Sequence, residues 1–383
     1  MNNAQASTKD RFHFLDGLRA IASILVLIHH SLSSGITKYL HSINFPRLGD
    51  FIYFFTQSGV ALFFVLSGVV LLRPYMRNQR EFKALEYFYR RIKRIYPPYF
   101  VALIFGYLVI VLIKFGPHTY YSDIWKWSDT SLIAFLKQSI IVNFNSQYYN
   151  LAWWSLQIEV VFYILVPVFV FIFSFNKNYN IARISLVLLT TMIVSYSLQL
   201  FLSNNYPQFY SNNSVSLNVY RFIDYPICFI LGIYLAKFDF DNYVGSAFSI
   251  LGLILIFGSK TYVPLINSGY GFLYAGIIIF AFKSVKMRSF LDTPIMIWLG
   301  ERSYSLFLIH FSVFYLVDYC CSLFIPDRNI YYGFFTRSIG IVLAFFCAIL
   351  LFNFIERKQA RGLITDKIFW PWNIKKLNNH IKE

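Results

Sequence analysis

The stretch "RAIASILVLIHHSL", residues 19–32, decides the fold class. Together with its flanks it reaches the length of about 20 apolar residues that a helix needs to cross a bilayer. Eleven residues separate Arg19 from His30, which is three helical turns plus about 20°, or roughly 16 Å along the axis. This spacing places a cation and an imidazole on one face, while His29 points about 100° away. Asp16, one turn before Arg19, is spaced to pair with it.

Apolar stretches of this kind recur along the chain of 383 residues, which is 57% hydrophobic and only 14% charged. A soluble globule of this length would need more polar surface. The sequence predicts an all-α, polytopic integral membrane protein. The first stretch leads to no small-residue cleavage site, so we expect a retained helix rather than a signal peptide. About ten transmembrane helices are predicted, near residues 13–33, 51–72, 97–114, 154–175, 184–203, 221–236, 244–258, 266–282, 296–324 and 331–354.

The net charge of +16 is explained by membrane topology and needs no nucleic-acid partner. With a cytoplasmic N-terminus, 23 Lys and Arg residues fall in inner segments and 7 in outer ones. This asymmetry is the positive-inside pattern, and it predicts that both termini are cytoplasmic. We expect one membrane domain, residues 1–360, and a basic cytoplasmic tail, 361–383, whose Trp370 and Trp372 lie among lipid head groups. All four cysteines fall in predicted spans, which indicates neither a disulfide framework nor a metal site.

A second set of buried polar residues lies in "WWSLQIEVVFY", residues 153–163. Ser155 and Glu159 are four apart and share a helix face. The depth of Glu159 is comparable to that of His30, and a carboxylate there would hold the imidazole in one tautomer and raise its basicity, as a general base requires. Two structural alternatives remain open. Glu159 could pair with an arginine such as Arg221, and the Arg19–His30 stripe could bond only to neighbouring helices.

Between helices 2 and 3, the predicted inner loop "RPYMRNQREFKALEYFYRRIKRIYPPY" carries Arg91 and Arg94. Arginine forks suit phosphate oxygens, although topology alone also calls for a basic inner loop. Ahead of this loop, "QSGVALFFVLSG" contains Gly59, Ser67 and Gly68. Such small residues let another helix or an extended ligand approach the backbone closely.

Two later segments carry further polar residues. In "RFIDYPICFILG", Arg221 and Asp224 are spaced to pair with each other. In "LGERSYSLFLIH", Ser303 and His310 are seven residues apart and face the same way. His310 could contact an acceptor or be a satisfied structural histidine, and Tyr304 could serve helix packing or substrate contact.

Taken together, these segments resemble the acyltransferase 3 family of bacterial integral membrane O-acyltransferases. The resemblance begins with the Arg-x10-His helix and continues with Arg-x-x-Arg at Arg91 and Arg94. It covers about residues 11–360. The matching segments, in the family's order, are "FLDGLRAIASILVLIHH", "FFVLSG", "RRIKRIYP", "WSLQIEVVFY", "LGERSYSLFLIH" and "FNFIERK".

This resemblance implies a ten-helix bundle in the bacterial inner membrane that takes an acyl group from a coenzyme A thioester on the cytoplasmic side. The acceptor is a hydroxyl of a cell-surface carbohydrate, such as O-antigen, lipopolysaccharide or capsule, which could be lipid-linked. The implied donor is acetyl-CoA, with no metal cofactor. Which glycan is modified, whether the group is acetyl or larger, and the oligomeric state all stay open.

On this interpretation the site residues divide into three groups. Catalysis falls to His30 and Glu159. Donor binding falls to Arg19, Arg91, Arg94, Gly59, Ser67 and Gly68, with the pantetheine arm beside the two glycines. Acceptor binding falls to Ser155, Arg221, Tyr304 and His310.

His30 would remove a proton from the acceptor hydroxyl as it attacks the thioester, with Glu159 stabilising the imidazolium. Alternatively, His30 is itself acylated and passes the group on. The chain departs from the family pattern at Lys358, where proline is common, and at Val160, where a second acid often stands. Both departures bear on the substrate subtype.

Two other classes of function compete with this one. A proton-coupled transporter or flippase of lipid-linked sugars would also place His30 and Glu159 within the membrane, but no matching pair of Gly- or Pro-broken halves is evident. A membrane synthase or polymerase acting on lipid-linked sugars would rely on long outer loops, and only the outer segment 115–153 has that length.

Overall fold

The computed structural model describes residues 12–77, 81–143, 149–174, 181–205, 223–258, 263–325 and 330–357. Within these ranges the ordered elements are helices. We number them α1 His13–Ile28, α2 Ser34–Ser42, α3 Pro46–Gln57, α4 Gly59–Met76, α5 Ala84–Phe115, α6 Tyr120–Ile124, α7 Leu132–Ser139, α8 Trp154–Ser174, α9 Ile181–Asn205, α10 Pro226–Lys237, α11 Asn242–Gly258, α12 Val263–Lys283, α13 Val285–Leu291, α14 Pro294–Ser322 and α15 Ile330–Leu351.

The helices confirm an all-α, multi-pass membrane protein. Eight helical segments within the described ranges are long and apolar enough to span a bilayer, and α10 and α11 are shorter apolar helices. Each of them overlaps a stretch that hydropathy predicts. The basic tail, 361–383, lies outside the described residues.

Three local features differ from the sequence-based prediction. The basic segment expected as a loop is helical from Ala84, so that α5 extends one long helix through Pro97 and Pro98. Residues 34–50, which lie between the first two predicted spans, contain α2 and the start of α3, where hydropathy predicts no span. Finally, α1 passes into a π-helix, His29–Ser33, which leads directly into α2.

By its internal contacts the chain forms two compact units. The first unit contains Met1–Phe82, Ile141–Gln147 and Ala152–Ser303, and the second contains Lys83–Ile140, Tyr148–Leu151 and Tyr304–Glu383. The boundary falls within α14.

Close helix contacts at glycines hold the first unit together. A Cβ built on Gly68 of α4 would lie 2.4 Å from the carbonyl oxygen of Phe229 in α10, and one on Gly232 would lie 2.2 Å from that of Val65. On the other side of α4, a Cβ on Gly59 would lie 2.7 Å from the carbonyl oxygen of Ala22 in α1. Small residues therefore let α4 pack tightly against α1 and α10.

Side chains that bond to backbone carbonyls hold the second unit together. The Asn150 amide donates to the carbonyl of Leu308 over 2.9 Å. The Tyr319 hydroxyl donates to the carbonyl of Pro117, also over 2.9 Å. Arg337 of α15 forms an ion pair of 2.7 Å with the buried Asp318 of α14. These bonds pair polar side chains that are buried within the second unit.

Candidate active site

Arg19 lies on α1 in the first unit and pairs with Asp16 as the spacing predicts. Its Nη1 is 3.4 Å from the Asp16 carboxylate, three residues earlier on the same helix. The carboxylate is buried and the guanidinium keeps about a fifth of its surface exposed. This arrangement offsets part of the desolvation of both charges within the span.

His30 lies in the π-helix His29–Ser33 and is half-buried. A π-helix places i→i+5 hydrogen bonds in a short segment of an otherwise α-helical chain, and such segments are frequent at functional sites. The α-helix ends at Ile28, so the three-turn spacing from Arg19 holds almost to the imidazole. The wider π segment then sets the direction of the ring.

His29 packs against His30 and is held by α3. The two imidazole rings meet edge to face with centroids 5.0 Å apart, and the Tyr53 ring lies 4.9 Å from that of His29. The Nδ1 atom of His29 is 3.2 Å from the Thr56 hydroxyl.

The Thr56 hydroxyl also lies within hydrogen-bond distance of its own helix backbone, 2.8 Å from the carbonyl of Ile52 and 3.0 Å from that of Tyr53. These contacts hold the hydroxyl beside Nδ1 of His29 and so help to fix the orientation of the imidazole next to His30.

Glu159 of α8 accepts hydrogen bonds from two hydroxyls in the first unit. Ser67 of α4 donates to Oε1 over 3.2 Å, and Tyr163, one turn along α8, donates to the same oxygen. The sequence predicts a contact between Glu159 and the His30 imidazole, whereas the partners of Glu159 among the described residues are these two hydroxyls. The sequence does show that Tyr163 lies four residues after Glu159 on the same helix face. It does not show that α4 packs against α8 with Ser67 level with Glu159.

The residues assigned to the pantetheine arm have other neighbours. Helices α1 and α10 fill the space beside Gly59 and Gly68, and Ser67 bonds to Glu159. Of the two interpretations of these small residues, helix packing is the one that the geometry supports. A ligand has no room on the glycine faces of α4.

In the second unit, Arg91 and Arg94 lie on α5, three residues apart, and so on neighbouring positions of one side of the helix. The Arg91 guanidinium lies over the Tyr87 ring, 5.5 Å from its centroid. Arg90, by contrast, forms an ion pair with Glu86 one turn earlier. An ordered helix therefore presents the Arg-x-x-Arg pair, where the sequence predicted a loop.

Tyr304 has a structural partner in the second unit. Its hydroxyl donates to the carbonyl of Ile95 in α5 over 3.1 Å. The adjacent Ser305 donates to Glu356 over 2.7 Å, and Glu356 lies in a second π-helix, Phe352–Glu356. Glu356 was not among the predicted site residues, although an acid within the apolar "FNFIE" is the same kind of signal as Glu159.

The other predicted acceptor residues are placed as follows. His310 is fully buried, and its Nδ1 lies 2.9 Å from the carbonyl of Phe307, one helical turn back. Ser155 is buried, with its hydroxyl 3.5 Å from the carbonyl of Ala152. Arg221 lies outside the described residues, and Asp224, its predicted partner, accepts from Asn267 at 3.3 Å. No group of three or more potential metal ligands occurs in the described part of the chain.

Comparison with known proteins identifies the family. The model of the acyltransferase 3 family, described as an acyltransferase domain, matches residues 12–355. No solved structure matches the chain.

Several curated relatives are proteins of Staphylococcus aureus. The protein named "Putative O-acetyltransferase SACOL0978" of strain COL is 27% identical, with 89% of this chain and 56% of that protein covered. O-acetyltransferase OatA of strain NCTC 8325 is also 27% identical, over 79% of this chain and 51% of its own length. The chain spans about half the length of these relatives. Because the family model covers the described helices from α1 to the second π-helix, the chain belongs to the acyltransferase 3 family.

Proposed function

We propose that this protein is an O-acetyltransferase of the bacterial inner membrane. It takes the acetyl group of acetyl-CoA from the cytoplasmic side and transfers it to a hydroxyl of a cell-surface carbohydrate. The observation that carries this proposal is the placement of His30, the histidine of the Arg-x10-His helix, in a π-helix within the first span. The names of the relatives, O-acetyltransferases, support acetyl as the group transferred.

In the proposed reaction His30 acts as the general base. The neutral imidazole takes the proton of the acceptor hydroxyl while the oxygen attacks the thioester carbonyl carbon. The carbon–sulfur bond then breaks, and the coenzyme A thiolate takes up the proton from the imidazolium. In the alternative order, the imidazole attacks the thioester first and the acceptor hydroxyl then displaces it.

Glu159 acts on this reaction as a charge within the first unit rather than as a bonded partner of the imidazole. Ser67 and Tyr163 both donate to its carboxylate and hold the side chain in one orientation. A fixed anion in a poorly solvated region favours a developing imidazolium even without direct contact. Glu159 is therefore a positioning and electrostatic group in the proposal.

The proposed activity is tested with the purified full chain in detergent. We expect the thiol of coenzyme A to be released from acetyl-CoA only when a carbohydrate acceptor is present. Glycans from cells with the gene should be heavier by acetyl groups than glycans from cells without it, as measured by mass spectrometry. Equal glycan masses together with no thiol release for any acceptor would contradict the proposal.

Donor binding by Arg91 and Arg94 gives a second prediction. Replacing either residue by alanine is expected to raise the KM for acetyl-CoA by about tenfold, since each removes a charged hydrogen bond to a phosphate. The KM for the acceptor should change little. Steady-state kinetics with each substrate varied in turn measure both constants.

Arg90→Ala is the matched control for this prediction. Arg90 is a neighbouring arginine of the same helix whose charge is already paired with Glu86. If Arg90→Ala raised the donor KM as much as the other two variants, the effect would come from the net charge of α5. If the acceptor KM rose instead, the two arginines would belong to the acceptor site.

The rival function, a proton-coupled transporter, has no observation in its favour beyond the presence of buried polar residues. The chain belongs to an acyltransferase family over nearly all its described length. We therefore propose a single function.

A further inference from the structure

Three helix ends of the first unit meet around Arg73. Arg73 is in the last turn of α4, Phe12 precedes α1, and Phe282 is near the end of α12. The charge asymmetry of the chain predicts that this end of the unit lies at the inner membrane surface.

The Arg73 guanidinium is held between two aromatic rings. Its Cζ atom lies 5.1 Å from the centroid of Phe12 and 4.7 Å from that of Phe282. In such cation–π contacts the positive charge lies over the electron-rich ring face, and the attraction fixes the position of the guanidinium. They leave the N–H donors of the group unused, because a ring face is not a hydrogen-bond acceptor of the usual kind.

These donors have no acceptor among the described residues. The Nε atom is buried without a hydrogen-bond partner, and the side chain as a whole is half-buried. A buried or half-buried guanidinium is ordinarily paired with an anion, since desolvation of the charge is otherwise costly. The group is thus positioned but not neutralised.

Arg77, one helical turn after Arg73, differs from it because its guanidinium nitrogens have hydrogen-bond acceptors. Its two terminal nitrogens donate to both oxygens of Asp239, over 2.8 and 2.9 Å. Its Nε donates to the carbonyl of Ala236 over 3.0 Å. Asp239 is therefore engaged in a bidentate pair and is not the missing anion of Arg73.

The surroundings of Asp239 carry more positive than negative charge. Hydrogen bonds from Arg77 lower the pKa of this carboxyl. The charges of Arg73 and Lys283 lower this pKa further, so both cations lie within electrostatic range of the one carboxylate. Three cations share one anion, which leaves the cluster attractive to a second anion.

We propose that Arg73, assisted by Lys283, binds the phosphate group of a ligand at the predicted inner membrane surface. A phosphate offers several acceptor oxygens and at least one negative charge, which matches an arginine fork and a flexible ammonium group that both act on the same carboxylate, Asp239. Either the head group of an anionic phospholipid or a soluble phosphate ester has this chemistry. Basic clusters between helix ends at the inner surface commonly take phospholipid head groups.

The test compares the wild-type full chain with three variants, using one phospholipid and two soluble phosphates as probes. Wild type, Arg73→Gln, Arg73→Lys and Lys286→Gln are purified in detergent and supplied with phosphatidylglycerol, or with inorganic phosphate and adenosine 3′,5′-bisphosphate in its place. Lys286 is the matched control, since it is an exposed cation of α13 and its loss changes the net charge equally. Bound phosphatidylglycerol is counted by native mass spectrometry, and soluble phosphates are measured by the shift in Tm.

We expect Arg73→Gln to weaken binding by about fivefold or more, as for loss of one basic contact to a phosphate, and Lys286→Gln to leave it near wild type. Loss confined to phosphatidylglycerol identifies a lipid site, and loss confined to the soluble phosphates identifies a soluble ligand. Equal binding by wild type and Arg73→Gln for every probe would overturn the proposal. Arg73→Lys retains the positive charge but not the planar guanidinium, and it should bind at an intermediate level. This variant shows whether a loss of binding in Arg73→Gln comes from the lost contact rather than from misfolding. Because no acetyl transfer is measured, the outcome is independent of the proposed activity.

Discussion

His30→Ala is expected to reduce acetyl transfer by about 100-fold to 10,000-fold, the usual contribution of a positioned general base. The side chain lies in the π-helix that ends the first span and is only half-buried, and alanine is the residue that most favours a helical backbone. The fold should therefore survive. Release of coenzyme A thiol in the presence of acceptor measures the rate, and size-exclusion chromatography in detergent reports the folded state.

His13→Ala is the matched control for this experiment. His13 is the first residue of the same helix and is exposed, so its loss should leave the rate near that of wild type. Unchanged turnover in His30→Ala would move the base to another residue. Wild-type protein given labelled acetyl-CoA without acceptor separates the two reaction orders, because only an acyl-histidine route leaves label on the chain.

The second large effect is expected from Gly68→Ala and Gly232→Ala. Each added methyl group would lie within 2.4 Å of a carbonyl oxygen on the facing helix, a distance that forces α4 and α10 apart. Overpacking of this kind costs about 1–3 kcal/mol and occasionally more. We expect a clear fall in Tm for both variants, followed by thermal unfolding in detergent.

Gly258→Ala provides the comparison, because a Cβ at that residue would meet no atom within 4 Å. Its Tm should stay close to the wild-type value. If Gly68→Ala instead kept its Tm and only raised the KM for acetyl-CoA, the glycine would line the donor site. That result would restore the interpretation that the sequence first suggested.

Hydropathy predicted the location of the helices because each apolar stretch must reach across the lipid with its backbone bonded internally. It failed at residues 84–96, where a helix continues beyond the apolar zone and its charged residues make it look like a loop. A hydropathy scale identifies only apolar helices, so it does not detect a helical segment that is rich in charged residues.

In the candidate site, the sequence predicted contacts between residues of the same helix but not contacts between different helices. The Arg19–Asp16 pair and the Glu159–Tyr163 bond follow from spacings of three and four residues. The Ser67–Glu159 bond and the packing at Gly68 depend on which helices are neighbours and at what depth, and a single sequence does not encode these distances visibly. The π-helix requires a shift from i→i+4 to i→i+5 hydrogen bonds, and the residues "HHSLS" contain no pattern that predicts this shift.

The π-helix also has a mechanical consequence. It joins α1 to α2 without a flexible linker, and Thr37 and His41 tie α2 to α3 through Gly49 and Asp50. The segment that carries His30 is therefore anchored at both ends, by α1 before it and by the paired helices α2 and α3 after it.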